Sequence, residues 1–234
     1  MADPELSAIV LGYRSGNDLD RVAEPLYELL EQSEISYELV VVANYWPSSC
    51  DSTPKAAARF AEGRSTVRVV AQEKQGGMGW DLRSGLAAAR GEVMIVIDGD
   101  AQNPVDDVLR LFHLMRERGA DVAKGRRIRR DDGLYRRLIS FVYNIAFQLL
   151  FPMRGIWDVN AKPKGLTRSA YERLDLHSDD WFIDAEIVLG ARDLALEVAE
   201  LPVVFLANVE RPSFVKPRAI LEFAGHMIRR RLRR

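Results

Sequence analysis

The sequence predicts an α/β protein with a Rossmann-like, mostly parallel sheet flanked by helices. Three observations carry that prediction. Short β-branched apolar runs alternate with segments of helical spacing every ~25–30 residues, the period of βαβ units. The runs are continuously apolar rather than alternating, as in strands buried on both faces. A length of 234 residues, 47% of them apolar, supplies a real core for one large domain or two small ones and excludes a disordered chain.

In order, the strands are SAIVLGY (7–13), YELVVVAN (37–44), TVRVVAQ (66–72) and EVMIVIDGD (92–100). Between them, residues 19–33, 53–63 and 80–90 repeat their apolar positions every three or four residues, as helices do. Asp18 and Ser52 stand where capping side chains belong, and Pro54 and Pro104 sit near helix openings. The second half is less regular: an amphipathic helix over 104–119, a strand over 120–125 and a late strand over 196–208. Residues 133–151 form a helix on which Arg136, Arg137, Ser140, Asn144 and Gln148 make one polar stripe on an otherwise apolar cylinder. Residues 217–233 form a basic amphipathic helix. With no internal repeat or clear linker, the expected organisation is one domain over 1–210, containing 133–151 as an interfacial helix. A basic peripheral helix within 211–234 follows it.

A formal net charge of −1 hides segregation. Residues 124–137 carry seven basic and two acidic side chains, and residues 216–234 carry seven basic and one acidic. The remaining chain is therefore acidic, and two basic patches on an acidic body fit an anionic partner: nucleic acid, a lipid head group or a phosphorylated substrate. The single cysteine, Cys50, excludes a disulfide framework and fits a reducing compartment. The acidic MADPELSAIVLGY opening predicts no signal peptide. The longest apolar stretch, 138–151, is shorter than the ~20 residues of a membrane span and is interrupted by Ser140, Asn144 and Gln148.

The sharpest chemical feature is VMIVIDGDAQNP (93–104), an apolar strand ending in Asp98-Gly99-Asp100 with Gln102 beyond. Ligands of open α/β sheets bind past the carboxyl ends of the strands. Two carboxylates one glycine apart are hard oxygen donors suited to Mg²⁺ or Mn²⁺. The competing reading is an Asp-rich turn that caps the helix after Pro104.

Taken together, several stretches resemble the family 2 glycosyltransferases of the GT-A fold, in particular the dolichyl- or polyprenyl-phosphate hexose synthases. They are SAIVLGY, residues 75–104, GRR (125–127) leading to YRRLISFVYN (135–144), WDVNAKPKGLTRSAYERL (157–174), and WFIDAEIVLGAR (181–192) before ELPVVF (200–205). The resemblance implies that Asp98, Asp100 and Gln102 bind the metal that grips a nucleotide-sugar diphosphate. It implies that Arg127, Arg136 and Ser140 contact an acceptor phosphate, against the alternative of a solvated basic loop. A phosphate oxygen is already ionised near neutral pH, so such an acceptor requires cationic positioning more than a strong base. The resemblance also sets Asp184 near the reacting centre, although acidic residues opening a helix equally serve its dipole. Asp158 matches a recurring family aspartate or is a turn residue, and Arg83 reaches the donor diphosphate or makes a surface ion pair.

The chain also departs from the family. Where relatives carry Pro-x-Tyr-Asn-Glu, it has Leu11-Gly12-Tyr13-Arg14-Ser15-Gly16-Asn17. Where they carry Asp-Asp-x-Ser-x-Asp-x-Thr, it has Ala43-Asn44-Tyr45-Trp46-Pro47 and then Ser49-Cys50-Asp51-Ser52-Thr53. Tyr13, Asn44 and Asp51 are the candidates to replace the missing carboxylates in holding the nucleoside.

The expected function is metal-dependent, inverting transfer of a hexose from a GDP-mannose or UDP-glucose type donor to a polyprenyl phosphate, at the cytoplasmic face of a membrane. Two alternatives stand beside it. One is a soluble glycosyltransferase acting on a small metabolite or glycan, with Asp184 as base; the other is a silent nucleotide-sugar-binding protein. The terminal RRRLRR has no nucleic-acid module beside it, so no nucleic-acid partner is expected. The apolar helix suits a membrane surface or a second copy of the chain.

Overall fold

The computed structural model describes residues 3–47, 49–130, 134–153 and 156–207, with Gly225 and Met227. Its strands are β1 (Leu6–Leu11), β2 (Tyr37–Val42), β3 (Val67–Val70), β4 (Val93–Asp98), β5 (Val122–Arg130), β6 (Lys164–Thr167) and β7 (Val198–Phe205). They form one sheet in the order β3-β2-β1-β4-β6-β5-β7. Only β6 runs antiparallel to its neighbours. The helices are α1 (Asp20–Glu31), α2 (Thr53–Ala61), α3 (Met78–Ala88), α4 (Asp106–Arg118), α5 (Leu134–Leu150), α6 (Arg168–Arg173) and α7 (Ile183–Asp193).

The period of two along each strand divides the core between two faces. Leu6, Ala8 and Val10 of β1 pack with Leu26 and Leu30 of α1, Phe60 of α2 and Leu111 and Phe112 of α4. Ile9 and Leu11 turn the other way, toward Leu82 and Leu86 of α3 and Ile183 and Ile187 of α7. Each such side chain contributes about 1.5–3 kcal/mol on full burial. Both faces are therefore covered, which is why the central strands read as mostly apolar runs, broken only by buried Ser7 of β1 and Glu38 of β2 and by Asp98 at the end of β4.

Local signals act as expected in part. Pro54 lies in the first turn of α2, and Gly119 ends α4 with φ +59. Asp18 is not a cap but lies inside a short 3₁₀ turn, Gly16–Leu19, that runs straight into α1. Ser52 makes no capping bond either; the Asp51 carboxylate accepts from the Thr53 N–H at 3.0 Å instead.

Two findings bear on the site. The basic run is a strand: β5 extends to Arg130 and pairs with β7 as far as Phe205, with an irregularity between Arg127 and Arg129. In addition, β6 lies where no strand was expected, in KPKGLT, because Pro163 and two lysines disguise it. Its register sets Lys164 between Val96 and Lys124. The basic helix expected over 217–233, and the boundary at 210, lie outside the described residues except for Gly225 and Met227. Met227 is buried with Phe147 of α5, Phe151 just after it, and Val188 and Leu189 of α7.

Candidate active site

The sheet register brings the chemistry to one edge. Leu11 pairs with both Val42 and Asp98, so the β1, β2 and β4 ends are adjacent. Gly99 donates its N–H to the Leu11 carbonyl at 3.0 Å, and a Cβ there would stand 2.8 Å from that oxygen. Only glycine lets the Asp-Gly-Asp turn lie this close to the β1 end. Ala101 follows with φ +58, a strained conformation for a residue with a Cβ. That bend lets the Asp100 carboxylate accept the Gln102 N–H at 3.0 Å.

Asp98 is about one-third exposed, and its nearest cation is the Lys162 ammonium at 3.9 Å. Gln102 is buried and donates its side-chain nitrogen to the Leu206 carbonyl at 2.9 Å. Its carbonyl end is therefore what a cation would meet. Two accessible carboxylates at a strand end, with an amide oxygen nearby, fit a hard divalent ion. Among the described residues no cluster of three or more acidic, histidine or cysteine side chains forms a metal cage. A cation at this edge therefore needs oxygens from a ligand as well.

The next feature was not legible in the sequence. Lys162 and Lys164 flank Pro163, and both bury their ammonium groups on one carboxylate, Asp184. Lys162 Nζ lies 3.1 and 3.3 Å from the two Asp184 oxygens, and Lys164 Nζ lies 2.5 Å from Oδ1. Burial would raise the Asp184 carboxyl, but the two ammonium groups outweigh it and hold it below the usual range. Burial likewise pulls Lys162 down, yet Asp184 and Asp98 raise it above its ordinary value. For Lys164, burial wins and the pKa falls to about 8. A third buried lysine, Lys124, sits opposite Lys164 on β5 and donates to Glu200 at 2.6 Å. Like charges placed opposite each other repel, so these carboxylates are structurally required.

Arg127 and Asp158 come together as a forked pair. Nε donates to Oδ2 at 2.7 Å, Nη2 donates to Oδ1 at 2.6 Å, and the Arg127 N–H adds a bond to Oδ2 at 3.2 Å. Burial would raise Asp158, but Arg127 more than offsets it and the carboxyl stays below its usual range. Asp158 thus positions Arg127, while Arg126, Ile128 and Arg129 are exposed on the same strand.

At the β2 end, Asn44 is buried and fully engaged. Its nitrogen donates to Asp81 at 3.0 Å and Ser84 at 2.9 Å, and its oxygen accepts the Gln72 N–H at 2.9 Å. It therefore ties β2 to α3. Lys74 forms a buried ion pair with Asp81 and lies 4.4 Å from the centre of the Tyr13 ring. Burial lowers Lys74 and raises Asp81, while their contact opposes both shifts. The Asp51 Oδ1 holds Thr53, and Oδ2 is buried without a hydrogen-bond partner among the described residues. Arg83 takes the surface ion pair, donating to Asp179 at 2.5 Å and to the His177 carbonyl at 3.2 Å.

Helix α5 buries apolar and polar side chains together, with Phe147 in the core, and exposes an apolar face. Asn144 is buried and accepts the Val159 N–H, and Gln148 bonds both Ile156 and Met153. Ser140 is half-buried. Leu138, Phe141, Val142, Ile145 and Leu149 face outward, with Leu149 78% exposed. The Arg136 side chain lies outside what is described. No helix among the described residues is long and apolar enough to cross a membrane.

The model of glycosyl transferase family 2 matches residues 7–174. The human dolichyl-phosphate beta-glucosyltransferase is 26% identical over 224 residues, covering 85% of this chain and 66% of that protein. The dolichol-phosphate mannosyltransferase of Pyrococcus furiosus is 25% identical over 231 residues, covering 96% of this chain and 63% of that one. The chain thus spans just under two thirds of the length of these relatives. Among solved structures, glucosyl-3-phosphoglycerate synthase from Mycobacterium tuberculosis in complex with UDP superposes with a TM-score of 0.72 at 18% identity. That match covers 97% of this chain and 80% of that one. The same enzyme with Mn²⁺, UDP-glucose and phosphoglyceric acid gives 0.71 at 17%. The fold is that of the GT-A glycosyltransferases.

Proposed function

The chain belongs to glycosyl transferase family 2. From that premise we propose that it transfers a hexose, with inversion, from a nucleotide sugar to a polyprenyl phosphate at the cytoplasmic face of a membrane. The donor is of the UDP-glucose or GDP-mannose type. The observation that carries the acceptor is the outer face of α5, where Leu138, Phe141, Val142, Ile145 and Leu149 are exposed while Asn144 is buried; Arg126 and Arg129 are exposed on β5. An outward apolar stripe on a chain that also exposes basic side chains suits the boundary between head groups and acyl chains.

In this reading, an acceptor phosphate oxygen forms the new bond to the sugar's anomeric carbon. The bond from that carbon to the donor diphosphate breaks, and its electron pair leaves with the nucleotide. Asp98 and Asp100, with the Gln102 amide oxygen, would hold Mg²⁺ or Mn²⁺, which when bound offsets charge on the departing diphosphate. Arg127, set by Asp158, and Arg136 and Ser140 on α5 orient the acceptor phosphate. Tyr13, Lys74 and Asp51 Oδ2, which has no hydrogen-bond partner among the described residues, line the side where a nucleoside would rest, with Asn44 behind them as a brace. The engagement of Asp184 with two ammonium groups makes it a poor proton acceptor. That favours an acceptor already ionised over a sugar hydroxyl that needs a base.

The test is transfer from radiolabelled UDP-glucose and GDP-mannose, with Mg²⁺ or Mn²⁺, to a short-chain polyprenyl phosphate and to free sugars. Product on the lipid phosphate alone is expected. Transfer only to free sugars or soluble phosphorylated metabolites would overturn the lipid assignment, and no transfer or nucleotide-sugar binding would leave a silent protein.

A further inference from the structure

Among the described residues, Lys162 is the one cation in ion-pair reach of both the proposed metal carboxylate and Asp184. Its Nζ lies 3.9 Å from Asp98 Oδ1 and 3.1 Å from Asp184 Oδ2, and its side chain is only 3% exposed. The backbone that carries it is held on both sides. Asn103 donates to the Lys162 carbonyl at 2.8 Å, and the Gly125 N–H donates to the Pro163 carbonyl at 2.8 Å. The ammonium therefore cannot swing far without unmaking buried bonds.

Formal charge then decides what the site accepts. Among the described residues, Asp98, Asp100 and Asp184 supply three negative charges, and Lys162 and Lys164 return two positive ones. Arg127 and Asp158 cancel each other. A divalent ion arriving alone would leave the cluster net positive, with a fixed ammonium close to the ion. A nucleotide sugar brings about two negative charges, and UDP or GDP about three, and either reverses that balance. We propose that Lys162 is a built-in counter-cation that makes divalent-metal binding at Asp98 conditional on the nucleotide diphosphate. This rests on Asp98 being a metal ligand. Lys162 is thus a positioning residue: it keeps Asp98 neutralised until the donor arrives, and then the same ammonium faces the diphosphate.

The experiment is Mn²⁺ binding to the full chain, read by electron paramagnetic resonance and calorimetry, for Mn²⁺ alone and then with UDP or GDP. For the wild-type protein, binding is expected to be at least ~10-fold tighter with one of the nucleotides than without. Lys162→Met is expected to tighten Mn²⁺-alone binding by ~10-fold and close most of that gap, whereas Lys162→Arg keeps the wild-type pattern. Circular dichroism and a cooperative melt establish that each variant folds. If Lys162→Met does not fold, Lys162→Gln, which still bonds Asp184, carries the same comparison. The proposal is overturned if wild-type protein binds Mn²⁺ equally well without nucleotide, or if a folded neutral variant binds Mn²⁺ alone no more tightly. In both of those outcomes Asp98-dependent Mn²⁺ binding survives. If no Mn²⁺ binds in any arm, or if Asp98→Asn leaves binding unchanged, the metal reading falls and takes this proposal with it.

Discussion

Arg127 grips Asp158 through two parallel hydrogen bonds of 2.7 and 2.6 Å, and both side chains are largely shielded from water. Asp158, which the resemblance marks as a recurring family aspartate, holds Arg127, which the resemblance marks as a contact of the acceptor phosphate. Asp158→Ala would leave Arg127 without its buried partner, at a cost of about 3–5 kcal/mol, read by urea unfolding. Transfer is expected to fall ~10²-fold, because the guanidinium is no longer held in one geometry. Wild-type stability in the alanine variant would show that the pair is not formed.

Asp98→Ala should lower transfer ~10²-fold or more, the cost of removing a principal stabiliser of leaving-group charge. Excess Mn²⁺ should not rescue it. A chelator should abolish wild-type transfer reversibly. Chelator-resistant activity would remove the cation from the reaction.

The buried lysines give stability a pH signature. Lys164 has a folded pKa of about 8, below its ordinary 10.5, so above pH 8 the unfolded chain holds more protons than the folded one. Stability from this group should therefore rise between about pH 8 and 10.5, by up to ~3 kcal/mol. Asp184 is shifted down and acts at the other end: its contribution is present above ~pH 4, the unfolded value, and is lost as pH falls through the lower folded value. Lys164→Met should flatten the alkaline slope in unfolding measured across pH 7–10.5. An unchanged slope would assign it elsewhere.

The outer face of α5 should matter for membranes and not for folding. Leu138, Phe141 and Leu149 are 61%, 53% and 78% exposed, so changing all three to Ser should shift stability by less than about 1.5 kcal/mol. Flotation with anionic vesicles should fall at least ~10-fold, as apolar area is lost from the interface. Phe147→Ala on the inner face should cost ~3–5 kcal/mol, because it opens a cavity in a packed cluster. If the triple variant still floats but no longer self-associates, the stripe is an interface between copies instead.

Much of the architecture was readable from the chain because period and burial act locally. Apart from Ser7, Glu38 and Asp98 the β1, β2 and β4 runs are apolar, and that pattern has few outcomes other than a strand covered on both faces. The Asp98-Gly99-Asp100 turn was readable for the same reason, since a strand must end where glycine and carboxylates begin. Strand β6 was not readable: four residues around a proline and lysines have no period to detect.

By itself, then, the sequence determined the parallel α/β plan, the carboxylate-bearing edge and the presence of a two-faced α5. Only tertiary structure decided which way α5 faces, because Asn144 and Gln148 turn inward only where Val159, Ile156 and Met153 offer them backbone partners. Only tertiary structure brought Lys162 and Lys164 onto Asp184, some twenty residues away in the chain. A lysine's charge says it belongs in water, and burial is tolerated only where distant carboxylates converge on it. Spacing along a chain does not encode that convergence; the pairing of β6 between β4 and β5 creates it.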